Sequence, residues 1–245
     1  SDQVTEGSEM PSAVARAFCI GGSGGPGPVV IDISKNAQVE EFDFSYKPCI
    51  YLRSYKPHPE LDLTLIDQAV QMINAADKPL LLVGQGVKLA NAESKLLEFA
   101  EAAGVPMAST LMGISAVPNN HPLFVGNLGM HGNLAANEMT QRSDLIIAVG
   151  MRFSDRVTGD VKNYAPNAKI IHIDVDAAEL NKNIKVDLPI HADAADALEA
   201  MKRGISYKDR SKWMAVAAEN NKKEYEDVVL PSTDPQGEYI SMYDV

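Results

Sequence analysis

Apolar runs alternate with amphipathic stretches through the middle of the chain. Short, nearly continuous apolar runs are typical of strands buried on both faces of a parallel sheet. Five such runs predict strands: Leu80–Val83, Val105–Ala108, Leu145–Val149, Lys169–Ile173 and Asp187–His191. A sixth strand is predicted near Leu123–Val125. Because helices separate these strands, we expect an α/β fold: a doubly wound, Rossmann-like parallel sheet of about six strands.

The stretches between the strands have helical periodicity, and capping residues mark where the helices begin and end. Thr64 is a candidate N-cap for the first of them, and Gly104 is expected to end the next one in a left-handed conformation. Asp176 and Glu179 have capping-box spacing and predict a short helix. Asp193 is expected to cap the last helix. Together these elements predict one domain over residues 63–205.

The two ends of the chain lack this alternation. Residues 1–47 predict one helix and one strand, Val29–Ile33, joined by a glycine- and proline-rich turn. One helix and one strand cannot bury a core, so we expect the end of a domain whose remainder is missing. Residues 48–62 predict an extended linker. The polar, acidic segment 206–245 is expected to be a linker or loosely held tail, with a helix near Trp213–Ala218.

Composition narrows the class of protein. A hydrophobic content of 45% excludes wholesale disorder, and a net charge of −11 argues against nucleic acid or an anionic membrane as a partner. No run predicts a membrane span or a signal peptide. Cys19 and Cys49 have neither metal-ligand nor disulfide-framework spacing, which fits a reduced, cytoplasmic setting. The chain begins at Ser1, so a processed or excerpted chain is expected.

Glycines and polar residues follow the predicted strands at the point where each strand ends. Because the carboxyl ends of parallel strands share one edge, a ligand lying across that edge would meet all of them. Glycines would clear space for a dinucleotide, and carboxylates would accept from ribose or ribityl hydroxyls. The alternative is that glycine and aspartate end many strands as turn and capping residues. These residues are Gly84, Gly86, Ser109, Thr110, Gly150, Asp174 and Asp193.

The segment after Leu145–Val149 adds positive charge to this edge. Gly150 is followed by Arg152 and Arg156, whose guanidinium groups suit phosphates and other anions. Asp155 lies between them, so a surface ion-pair cluster explains the same residues equally well. On the residues alone both interpretations stay open.

Candidates for catalysis are few. The histidines show no metal-ligand spacing, and the chain contains neither a nucleophile elbow nor a P-loop. The motif GQGV after Val83 lacks the third glycine of the dinucleotide fingerprint. His131 is a candidate ligand contact, whereas His172 is predicted to pack in the core. The residues therefore predict a domain that binds a nucleotide-like ligand, with no catalytic and no metal-binding residue assigned.

Four motifs resemble the large, catalytic subunit of the acetolactate synthase (acetohydroxyacid synthase) family, which are thiamine diphosphate enzymes. The resemblance covers most of the chain, from Pro11 to Gly204. The motifs, in family order and spacing, are STLMG (Ser109–Gly113), NLGMHG (Asn127–Gly132), VGMRFSDRVTG (Val149–Gly159) and HIDVD (His172–Asp176).

The resemblance implies a domain order and an activity. Residues 1–47 would be the C-terminal remnant of a pyrimidine-binding domain, residues 63–205 the central FAD-binding domain, and residues 206–245 a connection toward a missing C-terminal domain. The complete enzyme would use thiamine diphosphate and Mg²⁺ to condense pyruvate with a second 2-oxo acid, forming 2-acetolactate in branched-chain amino-acid biosynthesis. Those two cofactor sites would lie outside this chain, which alone is expected to be inactive. The complete enzyme would be a homodimer or homotetramer, which a small regulatory subunit can join.

The resemblance also assigns FAD contacts to the matching positions. Arg53, in the linker, would approach the phosphate region of the flavin nucleotide. The path of the dinucleotide would be lined by Gly84, Gln85, Gly86, Thr110 and Leu111, and its ribityl and flavin part would contact Leu128, Gly129, Met130 and His131. Its centre would be held by Gly150, Arg152, Arg156 and Val157, and its adenosine end by Asp174, Val175, Asp193 and Ala194.

Two positions depart from the family pattern. Ser154 replaces the first aspartate of the usual R-F-D-D-R, and Gly25 stands where arginine is usual. The loss of a carboxylate at Ser154 puts FAD affinity in question. Three alternatives therefore stay open: a free-standing nucleotide-binding or regulatory module, the central domain of a sibling carboligase such as glyoxylate carboligase, and a scaffold domain with an empty crevice.

Overall fold

A computed structural model describes residues 2–53 and 55–230. It divides the chain into two compact units, unit 1 (Ser1–Glu60) and unit 2 (Leu61–Val245). Among the described residues, no helix has the length and apolar character needed to cross a membrane.

Unit 1 is a small β-α-β arrangement. Strand β1 (Asp2–Val4) and strand β2 (Ile31–Ile33) pair in parallel, and helix α1 (Met10–Gly21) connects them. Their core is small, because only Val4, Ala13 and Ala37 form its buried cluster. Strand β1 is absent from the sequence prediction, since the three residues Asp-Gln-Val show no apolar run. The described residues between 48 and 60 are largely irregular and include an antiparallel bridge between Leu52 and Tyr55.

Unit 2 alternates strands and helices. Its elements are α2 (Leu63–Ala75), β3 (Pro79–Val83), α3 (Gln85–Leu89), α4 (Glu93–Ala103), β4 (Met107–Ser109), β5 (Phe124–Asn127), α5 (Leu134–Arg142), β6 (Leu145–Val149), α6 (Asp155–Thr158), β7 (Lys169–Asp174), β8 (Leu188–His191), α7 (Ala194–Lys202) and α8 (Ser211–Glu224). Gly104 ends α4 with φ +66°, as predicted. Strand β5 confirms the predicted sixth strand.

The strands of unit 2 form one parallel sheet in the order β5-β4-β3-β6-β7-β8. In this order the sheet grows outward from β3 through β4 to β5 and from β6 through β7 to β8, as in a doubly wound sheet, which confirms the predicted fold class. The two halves meet where β3 pairs with β6, from Pro79 opposite Leu145 to Val83 opposite Val149. Both strands are buried along their whole length.

Helices cover both faces of this sheet because alternate strand residues point to opposite sides. Leu81 and Val83 of β3 pack in a cluster with apolar residues of α2, α4 and α7. Leu80 and Leu82 pack in a second cluster with residues of α5 and α8. The continuous apolar run of β3 is thus explained by a core on each side.

Two local predictions were wrong. The N-cap of α2 is Asp62, whose carboxylate accepts from the backbone N–H groups of Thr64 and Leu65. Residues 176–183 form turns and bends rather than a helix, because Asp176 closes a tight turn with the N–H of Ala178. The helix predicted near Trp213–Ala218 is confirmed by α8.

Helix α8 is an integral part of unit 2. Trp213 and Ala217 are buried in the cluster with α5, and the indole N–H of Trp213 donates to Pro79 O at 3.0 Å. Arg210, just before the helix, is 5% exposed. Its guanidinium group donates to the carbonyl groups of Ile73, Ala76 and Ala103, near the C-terminal ends of α2 and α4. These contacts differ from the loosely held tail expected from the polar sequence.

Candidate nucleotide-binding site

The point where β3 and β6 pair is the topological switch point of the sheet. The chain leaves β3 toward β4 on one side, and it leaves β6 toward β7 on the other. The loops that follow the two strands therefore diverge and leave a crevice at their carboxyl ends. In open α/β sheets this crevice is the usual place for a ligand.

Three glycines form the floor of this crevice. The N–H of Gly84 donates to Val149 O, and the N–H of Gly86 donates to Gly150 O, both at 2.9 Å. A Cβ atom at Gly86 would lie 2.6 Å from Gly150 Cα, and one at Gly84 would lie 2.5 Å from Met151 Cβ. Gly150 has φ +57°. Only residues without a side chain fit here, so the floor of the crevice is bare backbone. Gln85, between the first two glycines, is exposed.

The loop after β4 borders the crevice on one side. The N–H of Thr110 donates to Val83 O at 2.9 Å, which ties this loop to the end of β3. The hydroxyl of Thr110 accepts from the N–H of Gly113 at 3.1 Å and closes a 3-10 turn, Leu111–Gly113. Leu111 is 77% exposed at this edge.

The loop after β5 forms a tight turn from Gly129 to Gly132. Its base is closed by the bond from the N–H of Gly132 to Gly129 O at 2.9 Å. Leu128 is buried, whereas Met130 and His131 at the tip of the turn are exposed. Gly129 has φ +104°, and a Cβ atom on it would lie 2.7 Å from Arg156 O. The N–H of Met130 donates to the same carbonyl at 2.8 Å, so this turn contacts the loop after β6.

The loop after β6 displays its two arginines to solvent. Met151 and Phe153 are buried, which leaves Arg152 between them exposed, and Arg156 is also exposed. Within residues 2–53 and 55–230, no acidic side chain forms an ion pair with either arginine. The surface ion-pair interpretation is therefore wrong for the described chain. Val157 is half-buried in the short helix α6.

A buried histidine contacts the backbone of the loop after β6. Nε2 of His172, in β7, lies 2.9 Å from Met151 O, and its ring packs edge-on against Phe153. The side chain is 1% exposed, which confirms the prediction of a core histidine. Because burial lowers the pKa of His172, the ring is neutral near pH 7 and Nε2–H is the donor.

Asp174 ends β7 beside the crevice. Its carboxylate accepts from the N–H of Asp176 at 2.9 Å, and its side chain is 11% exposed. Burial raises the pKa of Asp174 above its usual value. The next residue, Val175, accepts through its carbonyl group from Nε2 of His191 at 2.9 Å.

Asp193 has a structural role in the helix that follows β8. As predicted, it caps α7, accepting from the N–H of Ala195 at 2.8 Å and of Asp196 at 3.4 Å. Ala194 is the buried first residue of that helix. Capping accounts for this aspartate without a ligand.

The structure brings several of the predicted site residues into contact with one another. Gly84, Gly86 and Gly150 are in direct contact, as are the turn around Gly129 and the backbone of Arg156. The residues after β3, β4, β6 and β7 share the carboxyl edge of one parallel sheet. Arg53 belongs to unit 1, where it is exposed.

The family can now be named from a comparison with known proteins. Residues 66–201, more than half of the chain, match the family model described as "Thiamine pyrophosphate enzyme, central domain". The chain belongs to this family. The match spans the sheet described above, from α2 to α7.

Several acetolactate synthase large subunits are similar in sequence to this chain over most of its length. The acetolactate synthase large subunit of Corynebacterium glutamicum is 47% identical over 195 residues, which are 80% of this chain and 31% of that protein. The probable acetolactate synthase large subunit of Methanocaldococcus jannaschii is 41% identical over 218 residues, 86% of this chain and 37% of that protein. The large subunit of Haemophilus influenzae is 41% identical over 198 residues, 80% of this chain and 35% of that protein. The chain spans about a third of the length of these relatives.

Two asparagines that support the site were not predicted from the sequence. Asn133, the N-cap of α5, accepts through Oδ1 from the N–H of Asn127 at 2.9 Å. Asn137, one turn later, bonds to both polar groups of the Gly129 backbone. The signal that could have found them is their i,i+4 spacing directly after a glycine-rich turn, which places both amides on one side of the helix.

Proposed function

We propose that unit 2 is the FAD-binding central domain of an acetolactate synthase. The names and similarity of the relatives support this assignment. The observation that carries it is the crevice itself, where bare glycine backbone lies beside two exposed arginines that no acidic side chain of the described residues neutralises. A dinucleotide needs both features, since its diphosphate requires cations and close approach to backbone.

The residues present fit the parts of FAD. Arg152 and Arg156 would hold the diphosphate, and Gly84, Gly86 and Gly150 would let it approach the sheet. Asp174, with its largely buried carboxylate, would accept from the ribose of the adenosine end. The turn that carries Met130 and His131 would contact the ribityl and flavin part, together with Leu111 and Thr110. The remaining contacts proposed within unit 2 are Gln85, Leu128, Gly129, Val157, Val175, Asp193 and Ala194.

For the complete protein we propose acetolactate synthase activity, after the names of its relatives. It would decarboxylate pyruvate, releasing CO₂, and transfer the remaining two-carbon unit to a second 2-oxo acid, which gives 2-acetolactate when that acid is pyruvate; thiamine diphosphate and Mg²⁺ would be the cofactors. FAD in this domain would be structural, because the condensation involves no net redox change. We propose a cytoplasmic homodimer or homotetramer, joined by a small regulatory subunit, since the relatives are named large subunits.

Titration with FAD tests the proposal directly. We expect flavin fluorescence to be quenched on binding and flavin absorbance to co-elute with the protein in gel filtration. Replacing both arginines, R152Q and R156Q, should weaken binding at least about tenfold, because two charge-assisted bonds to phosphate are lost. Arg142→Gln, an exposed arginine in the last turn of α5, is the matched control and should change nothing.

Two results would contradict this proposal. A protein that binds no FAD would reject the assignment of the domain. Equal affinity of the double variant and the R142Q control would reject the two arginines as diphosphate contacts. Separately, we expect the 245-residue chain to form no acetolactate from pyruvate, thiamine diphosphate and Mg²⁺.

Ser154 favours a second function, the binding of an adenine nucleotide without flavin. It begins α6, but its hydroxyl makes no capping bond and supplies no carboxylate beside the arginines. ADP shares the adenosine and diphosphate parts of FAD. If ADP bound as tightly as FAD, the flavin half would contribute nothing, and this second function would replace the first.

A further inference from the structure

One side chain outside the assigned contacts holds the turn at the tip of the crevice. Oδ1 of Asn137 accepts from the N–H of Gly129 at 2.9 Å, and Nδ2 donates to Gly129 O at 3.0 Å. A single amide therefore satisfies both backbone groups of one residue. This residue has φ +104°, a conformation that glycine adopts readily and that residues with a side chain rarely adopt.

The constraint extends beyond Gly129. The bond from Gly132 to Gly129 closes the turn, and the N–H of Met130 donates to Arg156 O at 2.8 Å. Nη1 of Arg156 in turn lies 3.7 Å from Sδ of Met130. Asn137 thus begins a series of contacts that runs from α5 through the turn to the arginine loop.

The choice of asparagine at this position is not explained by the helix. Asparagine is a poorer helix former than alanine, and the face of α5 that packs on the sheet consists of Ala135, Ala136 and Met139. Alanine at residue 137 would suit α5 better. The amide is required by the turn, and the turn presents its exposed tip at the edge that we assign to the ligand.

We propose that Asn137 is a positioning residue of the nucleotide site, which locks the Gly129–Gly132 turn so that Met130 and His131 meet the ribityl and flavin part of FAD. This inference rests on the proposed FAD binding. It adds a residue that does not itself touch the ligand but sets the geometry of those that do.

The test compares FAD with ADP. Because ADP lacks the part that the turn would contact, Asn137→Ala should weaken FAD binding about tenfold and ADP binding less than about twofold. The visible spectrum of bound flavin should also shift, since the environment of the ring changes. Gln141→Ala is the matched control: it lies on the same helix, and its Oε1 accepts from the N–H of Ala165, away from the turn. It should change neither affinity.

A second variant covers the case in which Asn137→Ala folds poorly. Asn137→Asp keeps an acceptor for the N–H of Gly129 but loses the donor, so we expect an intermediate loss of FAD affinity. Its added negative charge could repel the diphosphate, and the ADP arm detects this, because repulsion would weaken both nucleotides alike.

The amide hydrogen exchange of Gly129 gives a readout without ligand. We expect faster exchange in Asn137→Ala and unchanged exchange in Gln141→Ala. If the wild-type protein binds FAD but Asn137→Ala behaves like Gln141→Ala, the inference is wrong and the proposed function survives. If the wild-type protein binds neither nucleotide, or ADP alone, the FAD proposal is wrong and the inference falls with it.

Discussion

Gly150 and Gly159 have the same backbone angle in very different surroundings. Both have φ +57°, but a Cβ atom at Gly150 would lie 2.5 Å from Gly86 Cα, whereas one at Gly159 would meet nothing within 4 Å. Gly159→Ala should therefore cost only the strain of its backbone conformation, φ +57° with ψ −128°, about 1–3 kcal/mol. Gly150→Ala should cost at least about 2 kcal/mol more, because rigid backbone must also move. Urea unfolding measures both, and equal losses would contradict the close contact at the floor of the crevice.

His172 should make stability depend on pH. Burial lowers its pKa, and Nδ1 has no hydrogen-bond partner among the described residues. As the pH falls below about 6.5, the unfolded chain gains a proton that the folded ring resists, so the free energy of unfolding decreases. His172→Gln can still donate to Met151 O but does not titrate.

Unfolding of the wild-type protein and of His172→Gln between about pH 8 and about pH 5.5 tests whether His172 causes this pH dependence. The wild-type protein should lose more stability on acidification than the glutamine variant, and the difference between them should develop around pH 6.5. Parallel curves would show that the buried ring is not responsible. Asp174, 3.9 Å from Nε2, is present in both proteins, so its own titration cancels in the comparison.

At the scale of elements, Arg210 joins α8 to the rest of unit 2. Arg210→Met should destabilise the protein by about 2–4 kcal/mol, because three carbonyl groups at the ends of α2 and α4 lose a buried donor. Arg203→Met is the control, since its side chain is 78% exposed and pairs with Glu199 at 3.6 Å. The control should change stability by less than about 0.5 kcal/mol. A small effect of Arg210→Met would mean that the packing of α8, which includes Trp213 and Ala217, holds the helix without this buried donor.

The elements that the sequence predicts correctly are those with a strong apolar pattern. β3 and β6 are apolar throughout because both faces are buried, and α7 has an inward stripe and a capping aspartate. The failures have local causes. β1 is too short and polar to show a pattern, and the capping-box spacing of Asp176 and Glu179 occurs within turns instead. The role of Arg210 could not be predicted, because the carbonyl groups that its guanidinium group binds lie at helix ends distant in sequence.

At the scale of the whole molecule, the convergence of the site follows from topology. Once the strands are known to be parallel, the residues after Val83, Ser109, Val149 and Ile173 must share one edge. The sequence could not show which loops contact each other across that edge. The bond of Met130 to Arg156 and the role of Asn137 depend on backbone geometry that no residue pattern records.

The two units differ strongly in the size of their cores, and this difference predicts how the chain unfolds. Unit 1 buries only a few small residues and exposes Phe18, Phe44 and Ile50, whereas unit 2 has a core on each face of its sheet.

Trp213, the one tryptophan of the chain, lies in unit 2, so its fluorescence reports on that unit alone. A chain that begins at Leu61 should show the same urea midpoint by this probe, with a free energy of unfolding within about 0.5 kcal/mol of the full chain. Tyrosine circular dichroism of the full chain should reveal an earlier loss of unit 1, because so small a core cannot offset the entropy of ordering its residues. A lower Trp213 midpoint in the shorter chain would show instead that the stability of unit 2 depends on residues 1–60.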